Sequence, residues 1–228
     1  MKNSISRGLA VALLAAAGAS AQAATVDWAN WTSSGPGTVT GNAVAGGSTV
    51  GVNFSGDYSF AQLNNTGFNY WQNPATPYLS AEVSNAPANS DIIGLNNAGT
   101  FTITFSSPVV NPLIGLVSWN GANVTFGGGA DTQTYNIQYL SSGCGYWGCG
   151  SYGSPTATSF TGVGELHGVI ELEGTYSTIT FTDSTNENWH GLTVGFEGVA
   201  TSVPEPGSVP MMIAGLAAVG FMLRRRVR

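Results

Sequence analysis

The chain contains two cysteines, Cys144 and Cys149, which enclose the four residues Gly-Tyr-Trp-Gly. In an oxidising compartment, two cysteines in one glycine-rich stretch predict a disulfide. The ring that this bond closes is small, so chain entropy gives it only about 2 kcal/mol of stabilisation. A bond that contributes so little to global stability is better suited to fixing the local shape of a loop.

The disulfide would present Tyr146 and Trp147 at the tip of this loop, with Tyr152 nearby. Aromatic rings that are held rigidly in solvent can stack on sugar faces or enter a pocket of a partner protein. The alternative is a stapled loop whose rings fold back onto the domain. Tyr146 and Trp147 are therefore the candidate ligand-contact residues.

A second candidate is the loop DSTNEN, residues 183–188, which is dense in oxygen atoms and precedes Trp189 and His190. Calcium takes six to eight oxygen ligands, and Asp183 and Glu187 could supply two carboxylates. The spacing lacks the EF-hand pattern. An ordinary polar turn that joins two strands is the simpler interpretation.

Paired acidic residues raise the question of catalysis. Glu171 and Glu173 lie on one face of a predicted strand, roughly 6–7 Å apart by strand rise, a separation that invites a glycosidase pair. Side chains at alternate positions of an exposed strand point into solvent side by side, whereas a catalytic pair must flank a bond across a cleft. Glu165 with His167 carries no stronger signal, and no serine elbow, phosphate loop or histidine metal motif is present. The sequence therefore predicts a protein that is not an enzyme.

The charge of the chain is unevenly distributed. Residues 24–202 contain no Lys or Arg and eleven of the twelve acidic residues, so their formal charge is −11, whereas the whole chain carries −6. Such a surface cannot neutralise phosphates, which excludes nucleic-acid binding, and it lacks the usual clamps for anionic substrates. The eleven carboxylates are Asp27, Asp57, Glu82, Asp91, Asp131, Glu165, Glu171, Glu173, Asp183, Glu187 and Glu197.

A period of two dominates the middle of the chain. In TFTITFSS, Phe101, Ile103 and Phe105 share one face and threonines share the other. Strict alternation of this kind predicts half-buried antiparallel strands. Many short strands separated by Gly, Asn, Ser and Pro clusters predict an all-β fold, an antiparallel, jelly-roll-like β-sandwich. Residues 64–97, rich in Asn, Pro and Ala, are expected to form long loops across one end of the sheets.

The N-terminus has the layout of a secretory signal peptide. Lys2 and Arg7 accompany the apolar run LAVALLAAAGA, which is too short for a comfortable membrane span and is followed by small residues. Ala21 and Ala23 place the cleavage after residue 23, with cleavage after Ala24 as the alternative. Residues 1–23 are therefore predicted to be removed.

The C-terminus combines an apolar segment with a basic cluster. Residues 209–223 are fifteen uncharged, mostly apolar residues. As a helix they span about 22 Å, short of a hydrocarbon core of about 30 Å, so their insertion into a membrane is marginal. The positive-inside rule keeps the following arginines in the cytoplasm and the folded domain on the outer side of the inner membrane. This basic stop consists of Arg224, Arg225, Arg226 and Arg228.

Upstream of the apolar segment lies the run Val203, Pro204, Glu205 and Pro206, in which two prolines keep the chain extended and leave one charged side chain accessible to a protease. With the apolar helix and the arginines, this run resembles the PEP-CTERM sorting signal of Gram-negative bacteria. The resemblance implies recognition by a membrane exosortase and delivery toward the surface or extracellular matrix, commonly in polysaccharide-producing organisms. A permanent membrane anchor is the alternative.

The body of the chain also resembles, less specifically, the domain found in many uncharacterised PEP-CTERM proteins. The matching segments are VDWANWTS, ITFSSPVVNP and GTYSTITFTDSTNENWHGLTVGF. This resemblance supports the predicted fold and implies no activity.

The sequence thus predicts an exported protein with a signal peptide at residues 1–23, a β-sandwich domain at 24–202 and a sorting signal with a short hydrophobic helix at 203–228. Residues 209–223 would enter the inner membrane transiently before an exosortase delivers the protein to the cell surface or medium. We expect a structural, adhesive or glycan-binding role, with extracellular polysaccharide or other surface proteins as partners and calcium as the one candidate cofactor. The alternative is a secreted polysaccharide-active enzyme, a hydrolase or lyase, that uses Glu171, Glu173 or the Asp183 loop.

Overall fold

The computed structural model describes residues 23–45, 47–128 and 131–197. Residues 1–22 of the predicted signal peptide, the Pro-Glu-Pro run, the predicted hydrophobic helix and the arginine cluster lie outside these residues. The regular secondary structure is nearly all β, with 57% strand and 4% helix, which confirms the predicted all-β fold class. Among the described residues, no helix combines the length and the hydrophobicity that a membrane crossing requires.

The described residues form fifteen strands and two single-turn 3-10 helices. In chain order the strands are β1 Asp27–Trp28, β2 Asn30–Gly35, β3 Thr38–Ala45, β4 Ser48–Ser55, β5 Phe60–Gln62, β6 Ile92–Leu95, β7 Gly99–Val110, β8 Leu113–Val117, β9 Asn123–Phe126, β10 Ile137–Gly145, β11 Gly148–Gly153, β12 Ser159–Gly164, β13 His167–Leu172, β14 Thr175–Asp183 and β15 His190–Phe196. The 3-10 helices are Tyr70–Gln72 and Thr76–Tyr78.

The strands pair antiparallel in one large sheet that is nearly closed into a barrel, and the sheet folds over into two facing layers. The first layer has the order β2-β3-β4-β7-β14-β9-β12-β11, and the second has the order β10-β13-β8-β15-β6-β5, with β1 on the end of β15. The β10–β11 hairpin joins the two layers at one edge. Strands β7 and β9 lie in the first layer, and β8 and β10 lie in the second. The chain therefore crosses between the layers at each of these connections, which gives the sandwich its jelly-roll-like connectivity.

The core lies between the two layers and follows the predicted alternation. Phe101 and Ile103 of β7 are fully buried, while the threonines between them face outward. Phe105 of the first layer meets Phe196 of the second edge to face, with ring centroids 6.2 Å apart. Burying each such side chain contributes about 1.5–3 kcal/mol, so this shared interior is what holds the layers together.

The second layer is buried on both faces. Its outer face carries apolar residues such as Leu113, Val117 and Val169, and these pack with Trp71 and Tyr78 of the two 3-10 helices in a separate buried cluster. Rather than crossing one end of the sheets, as the sequence predicted, residues 64–91 therefore cover this face. Strands β8 and β15 are consequently buried along their whole length.

A buried carboxylate fastens this covering segment to the sandwich. One carboxylate oxygen of Asp91 accepts a hydrogen bond from the backbone N–H of Trp31 at 2.8 Å, and the other accepts from that of Asn65 at 2.6 Å. Burial raises the pKa of Asp91, while these two backbone donors lower it. The bonds satisfy a group that would otherwise be costly to bury.

The structure allows a test of the close approach between β12 and the loop that follows β8. A Cβ atom at Gly162 would collide with the backbone carbonyl of Trp119. We expect Gly162→Ala to destabilise the fold by about 2 kcal/mol, as overpacked sites do, and to lower the melting temperature by about 4–8 °C.

Gly143→Ala in β10 is the matched control, because a Cβ there would meet Pro77 only at an ordinary 3.6 Å. Thermal unfolding of both variants checks the prediction. Equal melting temperatures for the two variants would contradict it.

Candidate ligand-binding cleft

Four connections of the sandwich meet around a cleft of about 320 Å³, which is within the size range of small-molecule sites. They are the loop after β8, the β10–β11 turn, the β12–β13 turn and the loop before β15. The lining residues are Ser118, Asn120, Trp147, Glu165, Glu187, Asn188 and Trp189. The cleft therefore combines indole rings with carboxylates and side-chain amides.

The β10–β11 turn is stapled where the sequence predicted. Cys144 and Cys149 are opposite each other in the hairpin register and form a disulfide. Tyr146 and Trp147 at the turn remain 45% and 51% exposed. The rings are thus displayed at the surface, where Trp147 forms one wall of the cleft.

Tyr146 and Trp147 belong to a larger group of rings that we call the aromatic surface. Its five members are Phe68, Tyr70, Tyr146, Trp147 and Trp189. Tyr146 lies 4.7 Å from Phe68 and 4.8 Å from Trp147, and Trp189 lies 5.2 Å from Tyr70 and 6.3 Å from Trp147, measured between ring centroids. The contacts hold the exposed rings in fixed relative positions, and contacts of this kind are worth about 0.5–1.5 kcal/mol per pair beyond burial.

Glu165 is held rigidly in the cleft wall. Ser118 donates its hydroxyl hydrogen to one carboxylate oxygen of Glu165, and the side-chain amide of Asn120 donates to the other at 3.0 Å. Ser118 adopts a φ of +58°, in the left-handed region, at a cost of roughly 1–2 kcal/mol for a residue with a Cβ. Such strain occurs mainly where the surroundings fix the geometry.

The buried His190 holds the carboxylate of Glu187 in position. Nδ1 of His190 lies 3.1 Å from a Glu187 carboxylate oxygen, and Nε2 lies 3.3 Å from Asp183. The second pair is close enough for an ionic contact but lacks hydrogen-bond geometry. The ring of His190 is fully buried, with its centroid 4.4 Å from that of Trp119. The orientation of Glu187 is therefore coupled to the core.

Asp183 has a structural role in the loop before β15. Its Oδ1 accepts hydrogen bonds from the backbone N–H of Asn123 and from both the backbone N–H and the hydroxyl of Thr185. The side chain is fully buried, and it does not line the cleft. These are the contacts of a polar turn that joins two strands, the simpler of the two interpretations of this loop.

Calcium binding by Asp183 and Glu187 stays a prediction of the sequence. Within the described ranges, no group of three or more His, Cys, Asp and Glu side chains is arranged to hold a metal ion. If the folded protein binds calcium, the ion stabilises it by mass action. Adding EDTA should then lower the melting temperature, and an unchanged melting curve would contradict calcium binding.

The other predicted acidic residues lie away from the cleft. Glu171 pairs with Gln138 and Leu113 within the second layer, and Glu173 accepts a hydrogen bond from Asn136. Burial and the nearby Glu197, Glu173 and Glu82 raise the pKa of Glu171. Neither residue lines the cleft, so the structure does not bring them together with Glu165 and Glu187.

Glu165 and His167 point to different environments. His167 is fully buried, and its Nδ1 lies 3.1 Å from the Tyr78 hydroxyl in the covering segment. Burial lowers the pKa of His167 to about 4, partly offset by the charge of Glu165. The histidine therefore connects β13 to the covering segment and does not serve the cleft.

Sequence reasoning found Tyr146, Trp147 and Glu187 and weighed Glu165, but it missed Phe68 and Tyr70. These two belong to the segment that covers the second layer, and no periodicity in that segment indicated where it would pack. Their spacing, two residues apart in a loop rich in Asn, carries no signal of its own.

Comparison with protein families matches residues 202–226 to the PEP-CTERM protein-sorting motif. The match includes the whole Pro-Glu-Pro run, residues 203–206, and the first three arginines of the cluster. No curated protein and no solved structure matches the chain. The motif defines an exported protein that is sorted to the cell surface through an exosortase. The chain thus carries a PEP-CTERM sorting motif at residues 202–226.

The buried imidazole of His167 is expected to make the stability of the protein depend on pH. Its pKa is 6.5 in an ordinary environment and about 4 in the folded protein. Between these values the unfolded chain binds a proton that the folded protein does not, so stability is complete above pH 6.5 and falls as the pH falls toward 4. The effect amounts to about 2–3 kcal/mol at most.

The measurement is the melting temperature of wild type and His167→Asn from neutral pH to pH 4. Asn keeps a polar atom near the Tyr78 hydroxyl but does not titrate. Carboxyls whose pKa is raised by burial, such as Asp91 and Glu197, act in the opposite sense. The readout is therefore the difference between the two proteins, which should shrink as the pH falls. Parallel curves would contradict the prediction.

Proposed function

We propose that this protein is a non-enzymatic, glycan-binding protein of the cell surface or extracellular matrix, and that the cleft is its binding site. The observation that carries the proposal is the aromatic wall that the exposed Trp147 and the half-buried Trp189 form at the cleft. Flat, rigid rings stack on the apolar faces of sugars and lose little conformational entropy when they do so.

The polar lining suits the hydroxyl groups of a sugar. Glu165 and Glu187 offer acceptors, and Asn120 and Asn188 offer both donors and acceptors. Ser118 and Asn120 fix Glu165, and His190 fixes Glu187, so these groups need little reordering on binding. Pre-organisation of this kind lowers the entropic cost of association.

The sorting signal would bring this cleft to the place where such a ligand occurs. We propose that residues 209–223 insert transiently in the inner membrane with the arginines in the cytoplasm. The exosortase would then act near residues 203–206 and release the domain toward the surface. An extracellular polysaccharide is the ligand that this route favours, with other surface proteins as further partners.

One observation favours a second candidate function. Two carboxylates, those of Glu165 and Glu187, line the same cleft, and a pair of carboxylates across a cleft is what a glycoside hydrolase requires. This alternative differs from the sequence-based one, which used Glu171, Glu173 or the Asp183 loop.

The test is to incubate the exported protein with the polysaccharide of its own cells. We expect retention on the polysaccharide without shortened products. Trp147→Ala and Trp189→Ala should each weaken binding about tenfold, because stacking on one aromatic ring is worth about 1 kcal/mol or more.

Val163→Ala is the control, because Val163 is 54% exposed and lies outside the cleft. Shortened chains that appear over time, and that disappear with Glu165→Gln or Glu187→Gln, would identify an enzyme instead. Absence of both retention and cleavage would refute a glycan-binding cleft.

A further inference from the structure

We infer that the cleft selects a glycan unit that carries a free, positively charged amino group, as in an unacetylated hexosamine, over its neutral or anionic counterparts. The inference rests on the proposed function, since it names the class of sugar that the same cleft would take. It follows from three features: the indole walls of the cleft, its carboxylates and the lack of lysine and arginine in residues 24–202.

The indole walls can bind a cation as well as a sugar face. The rings of Trp147 and Trp189 lie 6.3 Å apart at 80° to each other, so they present a corner rather than a single flat platform. An ammonium group in that corner meets the electron-rich face of one ring, and tryptophan gives the strongest attraction of this type. A neutral hydroxyl gains much less from the same position.

The carboxylates add a second source of attraction. Glu165 and Glu187 are the acidic groups that line the cleft. One oxygen of Glu187 faces His190, which in turn faces Asp183. The group thus contains two acidic side chains and one imidazole. With Glu165, the charge around the cleft is therefore negative.

No lysine or arginine of residues 24–202 is present to neutralise this charge. Residues 24–202 contain neither Lys nor Arg, so no arginine or lysine from the domain can fold over the cleft and pair with Glu165 or Glu187. A positively charged group of the ligand would pair with Glu165 and Glu187 instead. Uronate or sulfate groups, in contrast, would face a like charge with no cationic clamp and would be rejected.

The experiment compares three oligosaccharides of equal length on the exported wild-type protein: a glucosamine oligomer, its N-acetylated form and a glucose oligomer. Titration calorimetry in mildly acidic buffer keeps the amine protonated. We expect the free amine to bind about tenfold tighter than the other two, a ratio in the range of a cation–π contact supported by a carboxylate. Added salt should reduce this advantage, because it screens the charges.

Variants separate the charge from the stacking. Glu165→Gln and Glu187→Gln should each weaken binding of the amine much more than binding of the N-acetylated oligomer, because Gln still offers an oxygen acceptor to sugar hydroxyls but carries no charge. Glu173→Gln is the matched control, because this exposed glutamate lies outside the cleft. Trp147→Ala should weaken all three ligands. Glu187 contacts the buried His190, so the melting temperature of Glu187→Gln is measured as well. Glu165→Gln tests the same carboxylate effect without altering that contact.

The outcomes distinguish the inference from the proposed function. Equal affinity for the three oligomers would overturn the inference and leave a glycan-binding cleft in place. Binding of none of the oligomers, together with no retention on the cell's own polysaccharide, would overturn both. Binding that EDTA abolishes would show a divalent cation bridging the carboxylates to sugar hydroxyls, and it would also overturn the inference.

Discussion

The apolar outer face of the second layer is the constraint on which the rest of the structure depends. Because Leu113, Val117 and Val169 cannot remain in water, the chain covers them with residues 64–91. Trp71 locks this cover by donating its indole hydrogen to the backbone carbonyl of Asp91 at 3.1 Å. The path of the cover then carries Phe68 to the tip of the stapled hairpin. The aromatic surface is thus a consequence of how one sheet is buried.

A second dependence runs from the core to the cleft. Trp119 packs against His190 and donates its indole hydrogen to the carbonyl of Gly191 at 2.7 Å, while its neighbours Ser118 and Asn120 hold Glu165. The buried ring of His190 also lies within 3.1 Å of Glu187 and 3.3 Å of Asp183, so it links Glu187 to the interior. The same short segment therefore anchors both acidic residues of the cleft, so movement in the core would alter the two sides together.

The sequence was sufficient for the parts of the fold that depend on local pattern. Alternation identified β7, where Phe101 and Ile103 are buried between outward-facing threonines, and cysteine spacing identified the stapled turn. The sequence did not predict the cleft, because the residues that line the cleft come from four connections that are far apart in the chain. Glu165 and His167 illustrate the difficulty: two residues apart in sequence, one lines the cleft and the other lies in the interior.

The lack of lysine and arginine in residues 24–202 has a consequence for the lifetime of the protein outside the cell. Proteases of the trypsin class cut only after these two residues, so the domain offers them no peptide bond to cleave. This resistance comes from the amino-acid composition, so it persists when the sandwich unfolds. The protection that folding gives against other proteases is lost on unfolding. The domain can therefore unfold locally and refold in the presence of secreted trypsin-class proteases without being cleaved by them.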